Sequence, residues 1–359
     1  MRYDVIVIGG GAMGSAAAWR LAGRGASVLL LERFGAGHTR GASHGASRIF
    51  RVVYPEADYI GLARRALPLW RELEAATGTR LLDITGGVDH GDPTAIRELA
   101  RALDAAGVPG EILHPEAAGE RWPGLRFETP VLFHPASGRL HADRSVAALQ
   151  QGAVQHGATV RYDEPVHAIT VRGDDDVEVT TGGGVHHARR VVVAAGAWTS
   201  KLLGGLVRLP ELTVTQEQPA HFAPATDAGW PSFIHHRPGL PPVYGLLTPG
   251  EGVKAGFHAA GPVVDPDERD FAAEPGQLET LRQYVERWLP GVDPGTAAPI
   301  SCTYTSTDSE DFVVDRAGPL VVAAGFSGHG FKFTTVIGDL LADLALTAAQ
   351  PLERFRLRA

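Results

Sequence analysis

The chain opens with a buried strand that runs directly into a glycine-rich turn, and this junction most constrains its fold. Residues 4–8 (DVIVI) hold four β-branched apolar residues in a row, which is typical of a strand buried on both faces. Gly9, Gly11 and Gly14 follow as GxGxxG, and residues 15–24 are predicted to form a helix. These glycines permit a tight turn, close approach of a pyrophosphate, and close packing of helix on strand. The helix N-terminus would present free N–H groups to the phosphates.

An acidic residue follows at the place that a dinucleotide fold requires. Residues 27–31 are predicted to form a second buried strand, and Glu32 stands at its tip. An acid about 20 residues after the glycines binds the ribose hydroxyls of an adenine dinucleotide. Because a carboxylate repels a 2′-phosphate, NADP is not expected. Strand, helix and acid in register favour a dinucleotide-binding fold over an ordinary glycine-rich turn.

Composition excludes several classes of protein. A length of 359 residues predicts two domains, and a formal charge of −8 argues against a general nucleic-acid binder. The single cysteine, Cys302, excludes an internal disulfide and a cysteine-rich zinc site. No apolar run is long enough to span a membrane. Asp4 and the glycines interrupt the apolar N-terminus, so no signal peptide is expected and a cytoplasmic location is predicted.

Further strand patterns point to FAD rather than NAD. Residues 166–171, 177–181 and 185–188 alternate like a three-stranded meander, and a buried strand at 190–194 leads into Ala195-Gly196. Helices are predicted near 56–76, 93–106, 141–156, 276–288 and 334–348. The fold class is therefore α/β, a Rossmann-like FAD-binding domain with an inserted, mainly antiparallel-sheet substrate domain. We assign 1–80, 141–210 and 303–359 to the first domain, and 81–140 and 211–302 to the second.

A loop near the C-terminus supplies a second cofactor contact. Residues 325–333 (GFSGHGFKF) lie between a strand at 319–324 and the last helix. Their backbone N–H groups, with Lys332 nearby, can stabilise negative charge on a flavin ring. The alternative is a cap loop of a structural helix. The acidic residues 174–176 are interpreted as a hairpin tip, and adjacent histidine pairs at 186–187 and 235–236 as poor chelates, so no metal site is predicted.

Several segments resemble the family of monomeric sarcosine oxidase and N-methyltryptophan oxidase. They are residues 302–305 (CTYT), 311–315 (DFVVD) and 325–333, and the similarity continues through 43–51 and 253–258. It covers essentially the whole chain. The resemblance implies an FAD-dependent amine oxidase.

The resemblance also implies roles at the flavin. Cys302 would form an 8α-thioether to it, where the alternative is a buried, inert cysteine. Lys254 would lie over the flavin face opposite the substrate and stabilise the superoxide that forms when oxygen reacts. Arg48 would contact the flavin near N5, and Ser47 takes the place where close relatives carry threonine.

Other residues are implied at the substrate. Arg51 and Lys332 would pair with its carboxylate, which suits a rigid guanidinium plus an ammonium. Tyr244 and His258 would line the substrate face, although His258 is equally well explained as a core histidine. The predicted catalytic residues are Lys254, Arg48, Arg51, Tyr244, His258 and Lys332. The predicted cofactor-binding residues are Gly9, Gly11, Ala12, Met13, Gly14, Glu32, Arg33, Ser43, His44, Ser47, Arg48, Val166, Gly196, Trp198, Cys302, Gly328, His329, Gly330, Phe331 and Lys332.

The predicted activity is oxidation of a sarcosine-like secondary amine or N-methyl amino acid. Hydride transfer to flavin N5 would give an imine that water hydrolyses, and O2 would be reduced to H2O2. The partners would be a small amine and O2, and we expect a monomer. The alternatives are a biosynthetic oxidase of a cyclic imino acid, a flavin dehydrogenase with another electron acceptor, and a nucleotide-binding protein without catalysis. An NAD-dependent dehydrogenase would leave Cys302 and the 325–333 loop without a purpose.

Overall fold

The computed structural model describes residues 2–225 and 229–357. Its strands are β1 (Arg2–Ile8), β2 (Val28–Leu31), β3 (Arg48–Phe50), β4 (Leu82–Asp83), β5 (Gly87–His90), β6 (Glu111–Leu113), β7 (Val131–His134), β8 (Gly138–Leu140), β9 (Thr159–Arg161), β10 (Val166–Gly173), β11 (Asp176–Thr181), β12 (Gly184–Val193), β13 (Thr213–Glu217), β14 (Ala220–Phe222), β15 (Ser232–His235), β16 (Val243–Thr248), β17 (Gly252–Phe257), β18 (Ala298–Pro299), β19 (Cys302–Ser306), β20 (Val313–Ala317) and β21 (Leu320–Ala324). Its α-helices are α1 (Ala12–Gly23), α2 (Ala57–Thr77), α3 (Pro93–Ala105), α4 (Pro115–Arg121), α5 (Ala142–Gln155), α6 (Thr199–Leu203), α7 (Pro275–Trp288) and α8 (Thr334–Leu346).

A parallel sheet forms the first layer, in the order β9-β2-β1-β12-β21, with β20 antiparallel at its edge. Its central strands are apolar and buried on both faces, as a parallel sheet requires. Helices α1, α2, α5 and α8 pack together on this layer. The contact between α1 and α8 is close because Gly338 has no Cβ, which would lie 2.7 Å from the Cβ of Ala16.

The predicted meander is present, with one correction. Residues 185–188 and 190–194 were expected to be separate strands, but β12 runs unbroken through both. Its first half pairs antiparallel with β11, and its second half pairs parallel with β21. One long strand therefore belongs both to the meander and to the parallel sheet. Asp174 and Asp175 lie at the tip of the β10–β11 hairpin, where Asp175 pairs with Arg190.

A second sheet, in the order β18-β14-β17-β16-β15-β5-β7-β6, is antiparallel except where β15 meets β5. Its core includes Phe222, Phe233 and Leu281, the last from α7. A small sheet (β3-β8-β4) and the pair β13–β19 complete the strand pairings. The fold class is confirmed. The domain boundaries stay predictions. Ile96 of α3, which the prediction assigns to the second domain, packs in the same hydrophobic core as helices α1, α2, α5 and α8.

The glycine motif offers a direct test of the fold. Gly9 has φ +102°, and a Cβ on Gly14 would lie 1.9 Å from the Gly9 carbonyl oxygen. Gly14→Ala should therefore lower the free energy of unfolding by at least about 1–3 kcal/mol, because overpacking forces the backbone apart. Urea unfolding of the apoprotein measures this.

The matched control is Gly61→Ala, in α2, where a Cβ meets nothing within 4 Å. Because alanine is the better helix former, this change should raise stability by roughly 0.5–1 kcal/mol. If Gly14→Ala were as stable as the wild type, the close contact of helix and turn would be wrong.

Candidate cofactor and substrate site

A cavity of about 1110 Å³ lies at the carboxyl ends of the parallel strands. Ligands bind at this edge of open α/β sheets. The cavity exceeds the roughly 300–1,000 Å³ of ordinary small-molecule pockets, as an extended dinucleotide requires. Its walls come from the turn after β1, the 31–44 segment, α5, the end of β12, β19 and the 325–331 loop.

The glycine-rich turn places the N-terminus of α1 at this cavity. Gly11 is the N-cap, no side chain caps it, and no acidic residue lies in the first turn. The amide N–H of Ala12 donates to Ser43 Oγ at 3.0 Å. The positive end of the helix thus faces the cavity with no carboxylate in its own first turn, which suits a pyrophosphate.

Glu32 is held in place at the end of β2. Its carboxylate accepts from the amide N–H groups of Gly10 (2.6 Å) and Phe34 (2.9 Å), and His38 Nε2 lies 3.3 Å away. Burial alone would raise the pKa of Glu32, but these donors outweigh burial and hold that pKa below its ordinary value. The cavity therefore has an ionised acceptor where ribose hydroxyls are expected.

Most of the predicted cofactor-binding residues come together around the cavity. Its lining includes Gly9, Gly11, Ala12, Met13, Glu32, Arg33, Ser43, His44, Arg48, Val166, Gly196, Trp198, Cys302, Gly328, Gly330 and Phe331. Outside that lining lie Gly14, Ser47, Tyr244, Lys254, His258, His329, Lys332 and Arg51. Gly14 acts through packing, and the other seven residues are buried or half-buried outside the lining.

Gln150 was not predicted, although it borders the turn that begins the cavity. Its side-chain amide donates to the Gly10 carbonyl at 2.8 Å, and Tyr162 donates to its oxygen at 2.6 Å. A glutamine on an amphipathic helix carries no signal in the sequence. Only the packing of α5 beside α1 reveals it.

Cys302 faces the cavity where three chain segments meet. It is half-buried in β19, and its Sγ lies 3.9 Å from Arg48 Nη2. Arg48 also donates to the carbonyls of Ala42, His44 and Ser47, and its guanidinium lies 5.8 Å from the Phe331 ring centre. The thiol thus shares one end of the cavity with a fixed cation and an aromatic ring.

His44 leaves a buried nitrogen for a ligand at this end. Burial and the charge of Arg48 lower its pKa to about 4, so the ring is neutral at pH 7. Its Nε2 is buried without a hydrogen-bond partner among the described residues. Buried polar atoms in native proteins are nearly always paired, so this nitrogen fits contact with a bound cofactor.

Lys254 lies directly behind Arg48, in β17. It is 5% exposed, and its Nζ donates to the Ser47 carbonyl at 2.9 Å. Burial first, and Arg48 second, lower its pKa to about 7. Only three of the 33 lysines and arginines are lysines, and two of these, Lys254 and Lys332, are buried here. Both positions thus carry a lysine ammonium instead of an arginine guanidinium, and the ammonium is the compact group whose pKa shifts readily on burial.

Lys332 and Arg51 form a second cationic group around Tyr54. The Lys332 Nζ donates to the Tyr54 hydroxyl at 2.7 Å, and the Arg51 guanidinium lies 5.3 Å from the Tyr54 ring centre. Burial and the charge of Arg51 hold the pKa of Lys332 well below its ordinary value. Arg51 also donates to Asp89 at 2.8 Å, a residue that was not predicted. An anionic ligand beside both groups would offset these effects and favour the charged form of Lys332.

Tyr244 and His258 surround Tyr304, which lines the cavity. The His258 ring centre lies 5.4 Å from that of Tyr304. The Tyr244 hydroxyl packs on Gly256, where a Cβ would lie 2.9 Å from it. Burial, then Lys332 and Arg51, lower the pKa of His258 to about 4, so it is neutral at pH 7. This wall is therefore aromatic and uncharged.

Two other kinds of feature are absent from the described residues. Between 2 and 225 and between 229 and 357, no three or more His, Cys, Asp and Glu side chains are grouped to hold a metal ion. Over the same residues, no helix has the length and apolar character to cross a membrane.

Comparison with known proteins agrees with a flavin site. Residues 4–344 match the family model "FAD dependent oxidoreductase" (DAO). Monomeric sarcosine oxidase of Bacillus sp. (strain NS-129) is 36% identical, over 96% of this chain and 93% of the relative. N-methyl-L-tryptophan oxidase of Yersinia pestis (strain Pestoides F) is 30% identical, over 98% and 97%. The solved structure of NikD, described as an unusual amino acid oxidase essential for nikkomycin biosynthesis, is 30% identical, with a TM-score of 0.88 and coverage of 99% and 97%.

These findings confirm the resemblance and FAD as the cofactor, whereas its covalent attachment to Cys302 stays a prediction. The uncapped α1 terminus, the ionised Glu32 and the open His44 nitrogen all fit FAD. The chain belongs to the DAO family of FAD-dependent oxidoreductases, and is an enzyme similar to monomeric sarcosine oxidase and N-methyl-L-tryptophan oxidase.

Proposed function

We propose that this enzyme oxidises a sarcosine-like secondary-amine or N-methyl amino acid and uses O2, with release of H2O2. Bound FAD would supply the two-electron redox chemistry. The C–H bond next to the amine nitrogen would lose a hydride equivalent and the nitrogen a proton, which gives an imine, and O2 would take up the two electrons and two protons as H2O2. Water would then hydrolyse the imine. The observation that carries the proposal is the pairing of Arg51 and Lys332 around Tyr54, directly behind the cavity lining. The names of the relatives support the substrate class.

The two cations would bind the substrate carboxylate. A guanidinium offers a planar set of donors, and an ammonium adds a point charge. The one carboxylate in contact with this pair, Asp89, has both oxygens engaged within the described residues. It is therefore not free to hold a substrate ammonium or to act as a base. This favours an amine that is bound neutral, beside the uncharged His258 and Tyr304.

A second group, which consists of Lys254, Arg48 and Cys302, would serve oxygen and the cofactor. The buried Lys254 ammonium would stabilise the negative charge that O2 acquires on reduction. Cys302 would hold FAD covalently through a thioether, which its place in the cavity wall supports. A monomeric state and a cytoplasmic location also stay proposals from the sequence.

A second candidate is a biosynthetic oxidase of a cyclic imino acid. The match over 99% of the chain to NikD, described as an amino acid oxidase essential for a biosynthesis, supports the biosynthetic role, and the cyclic substrate comes from the sequence prediction. A peroxide-release screen decides between the two, with sarcosine, N-methyl-L-tryptophan, L-proline and L-pipecolate as substrates. Highest kcat/KM for the N-methyl compounds supports the first candidate, and highest kcat/KM for the cyclic compounds supports the second. Reduction of the flavin by any of them without peroxide release would favour a dehydrogenase.

Substitution of Arg51 tests the carboxylate clamp. Arg51→Met should raise KM for the best substrate of the screen by roughly 10- to 100-fold, because a hydrogen bond to a charged group is worth about 1.5–3 kcal/mol. The primary amide of that substrate should lose little, since it carries no charge. Steady-state kinetics with both compounds measure the difference.

The matched control is Arg139→Met. Arg139 is similarly buried, with its side chain 11% exposed against 15% for Arg51, and it also pairs with an aspartate, Asp83. The Arg139→Met change should leave KM for the carboxylate-bearing substrate unchanged. An Arg51→Met enzyme with unaltered KM would exclude the clamp.

A further inference from the structure

Asp89 is a buried carboxylate with no role so far. It lies in β5 and is fully buried. Its Oδ1 accepts from Arg51 Nη2 at 2.8 Å and from His236 Nε2 at 2.7 Å, and its Oδ2 accepts from His134 Nε2 at 2.8 Å. Because a carboxylate only accepts, both histidine Nε2 atoms carry a proton. Three donors thus converge on one acid.

The contacts continue into a closed ring. His134 Nδ1 lies 2.5 Å from Ser137 Oγ, and that oxygen accepts the amide N–H of Val52 at 3.2 Å. Val52 follows Arg51 in the chain, so the ring returns to the backbone from which it started. Burial lowers the pKa of His134 and so favours its neutral ring, and with the proton on Nε2 the Ser137 hydroxyl donates to Nδ1.

Charge and packing make this ring rigid. Burial alone would raise the pKa of Asp89, but Arg51, His134 and His236 together hold it well below its ordinary value. The ring links the segment after β3 to β5, β7 and the end of β15. Breaking any link would leave a buried polar group unpaired, which is costly.

Arg51 keeps free donors despite this contact. Among the described residues, the Arg51 side chain has one hydrogen-bond partner, Asp89, to which it donates through Nη2. The Nε of Arg51 is buried without a partner among those residues. The guanidinium is thus fixed on one side and open on the other. We propose that Asp89 is a positioning residue of the substrate site, which holds Arg51 so that the substrate carboxylate meets it in one orientation. This inference rests on the proposed function.

The proposal predicts that binding and turnover separate. The negative charge of Asp89 opposes a bound carboxylate, so its removal should not weaken binding of an anion. It should instead release the guanidinium, so that the substrate is held with its C–H bond misaligned. Misplacement of this kind costs turnover rather than affinity. A merely structural residue would change both.

The experiment uses the FAD-loaded enzyme and its Asp89→Asn variant. The probe is tetrahydrofuran-2-carboxylate, whose ring oxygen replaces an oxidisable N–H, and its dissociation constant is read from the change in visible flavin absorbance. We expect that constant to stay within threefold or to tighten, while kcat for the best substrate falls at least roughly tenfold. His134→Gln keeps the Asp89–Arg51 contact and should lower kcat less, by about threefold.

The control is Asp339→Asn, which weakens an ion pair with Arg20 and Arg24 in the helix layer. Neither quantity should change there. The inference is overturned if Asp89→Asn keeps kcat within twofold, or if it weakens probe binding in parallel with kcat. If Asp89→Asn does not fold, an unchanged kcat in His134→Gln overturns it. Failure of the proposed function would give a different result from failure of this inference. In that case Arg51→Met would leave the dissociation constant of the probe unchanged.

Discussion

Replacing Lys254 by methionine is expected to slow the reaction of the reduced enzyme with O2 by roughly 10²–10³-fold. Electron transfer to O2 creates negative charge, and a preorganised cation in a buried site stabilises that charge far more than water does. Lys254 is 5% exposed and fixed by the Ser47 carbonyl, so it meets this requirement. Reduction of the enzyme by substrate should change little, because the proposed carboxylate clamp uses other residues, Arg51 and Lys332.

Stopped-flow measurement of the two half-reactions separates these effects. The matched control is Thr248→Val, which removes the 2.6 Å contact with Ser47 Oγ but keeps the ammonium. It should retain the oxygen reaction. If Lys254→Met reacted with O2 at the wild-type rate, the role of Lys254 would be wrong and a dehydrogenase would become the better explanation.

The pKa of Lys254 adds a pH signature. With a pKa of about 7, the ammonium is protonated below that pH, so the rate constant for O2 should fall as pH rises through 7.

The same pKa predicts how folding stability depends on pH. The Lys254 side chain of the unfolded chain has an ordinary pKa of 10.5, so between pH 7 and 10.5 the unfolded chain binds more protons than the folded protein, and folding stability rises with pH across that window. Below pH 7 the buried cation destabilises the fold. Lys254→Met apoprotein should then be more stable than wild type in urea at pH 6.

Replacing Cys302 by serine should abolish covalent attachment of the flavin. The thioether needs a sulfur nucleophile, and the chain has no other cysteine. Cys302 lines the cavity, with its Sγ 3.9 Å from Arg48 Nη2. After acid precipitation, wild-type protein should keep its yellow colour in the pellet, and Cys302→Ser should release all of it. FAD should still bind non-covalently, since the rest of the cavity is unchanged.

The neighbouring Ser301→Ala variant is the control for this experiment. It removes a hydroxyl that accepts from Arg269 at 2.8 Å, and it keeps the thiol. Its pellet should stay coloured. A colourless wild-type pellet would show that the cofactor is held without a covalent bond, and a coloured Cys302→Ser pellet would place the attachment on another residue.

The parts of the fold that were predictable from sequence depend on local patterns. The GxGxxG turn, Glu32 and the buried strands each carry their signal within a few residues, and so do the helices whose ends lie within three residues of those expected. The continuity of β12 could not be predicted, because its two halves face different partners. The alternation of apolar and polar residues stops where the partner strand changes, and in the sequence this resembles a break between two strands.

The site shows the same division. Family motifs predicted Cys302, Lys254 and Arg51 as site residues, whereas no motif pointed to Asp89 or Gln150. Asp89 meets Arg51, His134 and His236 only after three strands and a loop have been placed. Gln150 meets the glycine turn only through helix packing. Contacts between residues far apart in the chain have no periodicity, so a single sequence does not reveal them.

The distribution of lysines has a practical consequence for labelling this protein. Lys254 and Lys332 are each 5% exposed, whereas the Lys201 side chain is 45% exposed beside Asp265 and Asp267. Among lysine side chains, amine-directed dyes or activated resins should therefore couple at Lys201, which borders the cofactor cavity. A fluorophore placed there would sit within energy-transfer range of the yellow chromophore, and its emission would report cofactor loading directly.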